Sequence, residues 1–176
     1  MDMLEFEAED LYFDEPLGKE AQACIDRAAE DYAEGSSELP LLRAYFLEPD
    51  HPVVLVALYR FFYYQHRLED ALLVADKVIS LFARRLELPQ DWQTLKKSHI
   101  GGSVMISMTM LRFYMLALKG AGYLELRLGR YDSALQRLQK VADLDSSDRL
   151  GTRALMDVAV QALEEAGEPI SVPVSG

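Results

Sequence analysis

The stretch Gly122–Asp148, "GYLELRLGRYDSALQRLQKVADLDSSD", decides the architecture. Its first half carries a small residue, Gly122, where one helix can approach another closely. Gly129 then supplies a tight turn. In the second half Tyr131, Ala134, Leu138 and Val141 recur at three- and four-residue spacing, the signature of one buried helical face. Small Ala134 marks the crossing point of the two helices. Two antiparallel helices joined by a two-residue turn, "GR", follow directly from this pattern.

Helical periodicity extends over the rest of the chain, and no strand-like alternation persists. The pattern predicts helices over Lys19–Ala33, Leu39–Leu47, Val53–Gln65, Asp70–Leu86, Val104–Leu128, Tyr131–Leu144 and Arg149–Ala166. Pro52 suits the first turn of the third. "ELPQDWQTLKKSHIGG" reads as a long connection with one short helical turn. Gly167 and Pro169 stop the last helix, and "DSSD" caps it through Ser147 or Asp148. The expected fold class is all-α, antiparallel helical hairpins with a C-terminal capping helix.

The segment Leu58–Leu81, "LYRFFYYQHRLEDALLVADKVISL", aligns on the first hairpin. Leu68 falls with Tyr131, Ala71 with Ala134, Ala75 with Leu138 and Val78 with Val141. Upstream, "LLRAYFLEPDH" places Ala44 in the register of Val78, with Pro49 as terminator. On these residues the chain resembles a tetratricopeptide repeat protein, whose period is about 34 residues. Ala71 and Ala134 lie 63 residues apart, so the third unit follows the second after an insertion. The resemblance implies units near 18–51, 52–85 and 115–148, an insertion at 86–114 and a cap at 149–166, stacked as a short superhelix. An acidic segment, 1–17, precedes this domain as a flexible or docking element, and a flexible tail, 168–176, follows it. The chain departs from the repeat pattern at Tyr59, where a small residue is usual, and at Ala83 and Ser146, where a proline is.

The resemblance further implies a concave groove lined by the first helix of each pair, which in such proteins holds a peptide or helix. Register assigns Val56, Arg60, Tyr63 and Tyr64 to that groove from the second unit. From the third it assigns Lys119, Tyr123, Leu126 and Arg127, and Arg153 joins them from the cap. These basic and aromatic residues suit an acidic or aromatic partner segment. Lys119 matches the lysine of a carboxylate clamp, but Tyr123 stands where the clamp has an asparagine.

Charge narrows the function classes. The chain carries -11, and seven acids with no base lie in residues 1–16, so the remainder carries only -4. No basic cluster suits nucleic acid. The acidic N-terminus has no secretory core, and one cysteine, Cys24, excludes an internal disulfide; a cytoplasmic setting is expected. Ile100–Leu118 is long enough to cross a bilayer, but Arg112 inside it argues for a buried helix instead. His51, His66 and His99 have no metal-ligand spacing. "DLDSSD" lacks the glycine and distal glutamate of a calcium loop, and no nucleophile–base set is visible. Neither catalysis, nor a cofactor, nor a metal is expected.

The leading expectation is an adaptor or chaperone-like module. The combination "LRAYFLEPDHPVVLVALYRFFYYQHRLEDALLVA" and "LRFYMLALKGAGYLELRLG" resembles short repeat proteins that accompany bacterial nitrogen-fixation genes, which implies a role in maturing an oxygen-sensitive metalloenzyme (nitrogenase). Size and repeat count are also similar to class II chaperones of type III secretion. A small-molecule-binding helical protein or enzyme, with the aromatic cluster as its pocket, is the remaining alternative. The run Met105, Met108, Met110 and Met115 reads as a buried face, with a homodimer through 104–118 as the other reading. The N-terminal "LEFEAEDLYFDEP" complements the basic, aromatic groove and is expected either to fold back onto it or to remain a solubilising tail.

Overall fold

The computed structural model describes residues 15–31 and 35–167. The expectations for residues 1–14, for the end of the first helix at 32–33 and for the tail 168–176 fall outside them. The described residues form eight α-helices and no strand: α1 (Lys19–Glu30), α2 (Glu38–Leu47), α3 (Pro52–Tyr64), α4 (Leu68–Arg85), α5 (Lys97–Ile106), α6 (Met108–Arg127), α7 (Tyr131–Leu144) and α8 (Arg153–Ala166). A 3-10 turn, Trp92–Thr94, lies between α4 and α5. The chain divides within α4 into two compact units, at Val74 and Ala75.

In the first unit α1 packs on α2, and both contact α3. Ser37 ties two of them together: its buried hydroxyl donates to the Ala28 carbonyl at 2.7 Å. At the opposite end the Gly18 N–H donates to the Glu48 carboxylate at 2.7 Å. His51 caps α3. Its Nδ1 accepts from the Val53 N–H at 3.2 Å and its Nε2 donates to the Glu15 carbonyl at 2.8 Å. That pair of roles fixes the Nε2–H tautomer.

In the second unit α6 packs on α7, and α7 on α8. Gly122 and Ala134 meet at the α6–α7 crossing as the sequence indicates. A Cβ at Gly122 would lie 3.0 Å from Leu138 Cγ and 3.4 Å from the Ala134 carbonyl oxygen. Leu135, Ala159 and Leu163 form a small core among α6, α7 and α8, with Leu126 and Tyr131 packed against it.

The hairpin turns share one geometry. At the end of α3 the Arg67 N–H reaches back to the Phe62 carbonyl at 2.9 Å, and His66 takes a positive φ of 58°. At the end of α6 the Arg130 N–H bonds the Glu125 carbonyl at 2.8 Å, and Gly129 takes φ 75°. The end of α4 repeats it, with Leu88 N–H on the Ala83 carbonyl at 2.8 Å and Glu87 at φ 55°. Each is a six-residue C-terminal capping motif, which favours glycine at the left-handed position. Only Gly129 meets that preference without strain.

One buried charge cluster organises the second unit. The Arg137 guanidinium on α7 donates from Nε to Glu125 on α6 at 3.0 Å and from Nη1 to Asp76 on α4 at 2.8 Å. It also lies 5.2 Å from the centre of the Trp92 ring. Burial pushes the Glu125 carboxyl above its ordinary range, and the charge and hydrogen bond of Arg137 only partly pull it back.

Three sequence expectations are corrected. The helix expected over Val104–Leu128 is broken where Ser107 adopts extended backbone (φ -163°, ψ 117°) and its hydroxyl accepts from the Met110 N–H at 3.2 Å, and the part before the break belongs to α5, which already starts at Lys97 inside the segment expected as a connection. The methionine run is therefore not one buried face. Met105 is 86% and Met108 60% exposed, whereas Met115 is buried. The last helix begins at Arg153 rather than Arg149, because Asp145 and Asp148 hold the intervening backbone. Asp145 accepts from the Leu150 N–H at 2.8 Å, and Asp148 accepts from the Thr152 N–H at 2.8 Å and the Arg153 N–H at 3.4 Å. Burial works against the ionised Asp148 carboxyl, but these donors outweigh it and hold its pKa below the ordinary value.

Three substitutions test this account by urea denaturation. Gly122→Ala, which an isolated helix would favour by about 1 kcal/mol, is expected to destabilise the protein, because overpacking against Leu138 and Ala134 costs about 1–3 kcal/mol. His66→Gly is expected to stabilise it by about 1 kcal/mol through relief of the left-handed backbone. Arg137→Ala should cost about 3 kcal/mol, since it leaves Glu125 buried without its partner.

Candidate functional site

The outer turns of α3 carry Ala57, Arg60, Phe61 and Tyr64, spaced at three and four residues and therefore on one helical face. On α1, Ile25, Ala28 and Ala29 share a face by the same spacing. These two faces, with Ser37 and Leu41 from the start of α2, line a cleft of about 490 Å³. That volume lies within the range of about 300–1,000 Å³ usual for ligand sites. Its walls are mostly apolar, and Arg60 is the one charged residue among the described lining residues. Tyr64 is 56% exposed, so its ring stands open to a ligand.

The small side chains of Ala28, Ala29 and Ala57 leave this space between α1 and α3. Arg67 braces one end of the first unit. Its Nη1 donates to Glu38 at the start of α2 at 2.6 Å, and its Nε donates to Asp70 at the start of α4 at 2.7 Å. Its guanidinium also sits 4.6 Å from the Phe62 ring centre. The hydrogen bonds to Glu38 and Asp70 raise its pKa further above the ordinary arginine value.

The groove residues assigned by register separate into distinct environments. Arg60 and Tyr64 line the cleft. Tyr63 is half-buried, stacked on Tyr59 with ring centres 6.3 Å apart and set edge-on to Tyr64 at 5.4 Å. Val56 is only 1% exposed and belongs to the core instead. Lys119 is also withdrawn from solvent, at 5% exposure, and its ammonium donates to the Leu150 carbonyl in the α7–α8 linker. A carboxylate clamp built on Lys119 would have to displace that bond.

The remaining residues lie in the second unit. Arg127 Nη1 donates to the Tyr123 hydroxyl at 3.2 Å, one turn apart on α6. Leu126 packs against the Leu135–Ala159–Leu163 core. Arg153 is exposed at the start of α8. The α1 wall of the cleft (Ile25, Ala28 and Ala29) and Phe61 are site residues that register did not assign. The signal was present as the apolar spacing on α1, but an alanine-rich face reads as packing surface.

Among the described residues no three His, Cys, Asp or Glu side chains are grouped to hold a metal ion. His51 and His99 serve the backbone, His99 by accepting from the Lys96 N–H at 3.0 Å. Cys24 is half-buried. No described helix is long and apolar enough to cross a membrane.

No protein-family model matches the chain, and no solved structure matches it. A curated protein of Azotobacter chroococcum mcd 1, described as an uncharacterized 19.8 kDa protein in the nifW 5' region, is 48% identical over 161 residues. The alignment covers 92% of this chain and 90% of that protein. Identity of that extent over nearly the whole of both sequences places them together: the chain belongs to the family of this 19.8 kDa nifW 5'-region protein.

Proposed function

We propose that the chain is a non-catalytic protein-interaction module whose α1–α3 cleft receives an acidic, aromatic segment of a partner protein. The cleft itself carries this reading: an apolar floor, an open tyrosine ring and a single guanidinium within one unit. A carboxylate on Arg60 would form a charge-assisted hydrogen bond, while an aromatic side chain would fill the space left by the alanines. The turn geometry shared by the 65–67 and 128–130 segments, 63 residues apart, supports a repeat origin of the tetratricopeptide kind. In such a repeat α1 and α3 are the groove-lining helices.

The gene position of the Azotobacter relative points to a biological setting. That protein lies in the nifW 5' region, which favours an accessory role in nitrogen fixation over a secretion-chaperone role. The partner would then be a protein that assembles or matures the oxygen-sensitive metalloenzyme, with this chain holding one of its segments.

Affinity capture from nitrogen-fixing cells tests both parts. Wild-type chain is expected to retain a specific partner encoded with the nitrogen-fixation genes. Arg60→Glu should weaken that retention about tenfold or more, equivalent to ~1.4 kcal/mol, and Tyr64→Ser should also reduce it. Arg149→Glu, at an exposed position of the α7–α8 linker, serves as a surface-charge control. Undiminished capture by Arg60→Glu would exclude the cleft as the site.

A further inference from the structure

We propose that the outer face of α5 is a contact surface for a second copy of this chain, with the two α5 helices crossing antiparallel at Gly101. The surface belongs to the second unit and does not depend on the reading of the α1–α3 cleft.

Helix α5 is held from its inner side. Ser103 is buried there, and its hydroxyl donates to the Leu86 carbonyl at 3.2 Å. The outer side carries Ser98, Gly101, Gly102 and Met105, at three- and four-residue spacing and therefore on one face. All four are exposed. Val104 and Ile106 flank them, and Met108 follows just past the break at Ser107; these three are exposed as well. The four large side chains present on the order of 400 Å² of apolar surface, the scale of a functional patch rather than of scattered residues.

The two glycines have no role within the chain. Neither takes a positive φ, and a Cβ on either would meet nothing within 4 Å. Glycine inside a helix is destabilising relative to alanine, so α5 is weakened at its middle without any gain in packing. A second helix would use the missing side chains, because its backbone could approach closely at that point. The apolar groups on either side would then close around the crossing.

Charge selects a second copy as the occupant. Between Trp92 and Leu124 there is no Asp or Glu, in a chain with 29 of them and a net charge of -11. Two such molecules repel across acidic surface, and this stretch is spared. The first turn of α5 carries Lys97 and no acid, the unfavourable sign for a helix N-terminus. An antiparallel crossing at Gly101 sets each Lys97 against the last turn of the other copy's α5. There the carbonyl end favours a cation, and the lysine stem can lie over the methionine. The two Lys97 positions are then ~12 Å apart along the axis, beyond the ~8 Å screening length at physiological ionic strength. Each copy offers the same patch to the other, as a two-fold contact requires.

The patch is half of the ~800 Å² per partner that a standard stable interface buries. The dimer is therefore weak and reversible, with a dissociation constant on the order of 10–100 µM, and the free chain stays populated.

Sedimentation equilibrium of the full-length chain, from low to high micromolar concentration, tests the proposal. Wild type is expected to show a reversible monomer–dimer equilibrium. Gly101→Leu and Met105→Glu should each weaken it about tenfold or more. Leucine is the better helix former, so Gly101→Leu should leave the thermal midpoint of the monomer unchanged or raised; a fall in stability is not what separates the copies. Orientation is read by oxidative cross-linking in a Cys24→Ser background. Gly101→Cys should link two copies readily, and Met105→Cys should not. A monomer at every concentration would overturn the proposal, and so would a dimer that both variants leave intact or a preferential link through Met105→Cys. A chain that stays monomeric but sediments with vesicles of equimolar phosphatidylcholine and phosphatidylserine would overturn it in favour of a lipid surface. A monomer whose captured protein partner is lost with Gly101→Leu would overturn it in favour of that partner.

Discussion

A backbone hydrogen bond closes the turn after α3 and the turn after α6, and the course of the chain at both places depends on it. The N–H just past the turn reaches back five residues, as Arg67 does to Phe62 and Arg130 does to Glu125. It can form only if the residue before it enters the left-handed region. Once formed, it satisfies carbonyls that the helix end leaves open and reverses the chain within three residues. After α6, where only Leu128, Gly129 and Arg130 separate the helices, α7 then runs back along its predecessor. The side chains only decide how closely the two approach. At Gly122 that approach is near the steric limit.

The buried cluster around Arg137 has a different role. Desolvating a guanidinium and a carboxylate is costly, so the cluster is weak evidence of net stability. It does restrict the alternatives. A shift of α7 along α6 would leave Glu125 unpaired, and a shift relative to α4 would break the Asp76 contact. Hydrophobic faces alone tolerate such slippage more readily. This cluster has no signature in the sequence, because Arg137 sits between core positions on α7 and its partners Glu125 and Asp76 are distant in the chain.

Several features of the fold are legible in the sequence alone. Tyr131, Ala134, Leu138 and Val141 defined α7 to the residue, since a buried face against a tight turn leaves little freedom. The repeat resemblance assigned Arg60 and Tyr64 to a groove by register, and both line the α1–α3 cleft. Depth was not legible. Register alone placed Val56 and Lys119 beside them, but register describes a helix face and not what later packs over it. The α7–α8 linker brings Leu150 onto Lys119, and no periodicity encodes a linker's path. The break at Ser107 was hidden for a related reason. Apolar residues continue on both sides of it, and a serine that caps a helix looks the same as one inside it.

That break has a chemical consequence. By ending α5 at Ile106, Ser107 leaves Met105 and Met108 standing in solvent while Met115, on the same run, is enclosed. Thioethers in solvent are open to oxidation to the sulfoxide, which turns an apolar, flexible side chain into a polar one. Oxidant reaching this molecule would therefore alter its surface at the α5–α6 elbow long before it disturbed the packing of α6. Within one sequence run, the protein separates a methionine that records its chemical surroundings from one that is insulated from them.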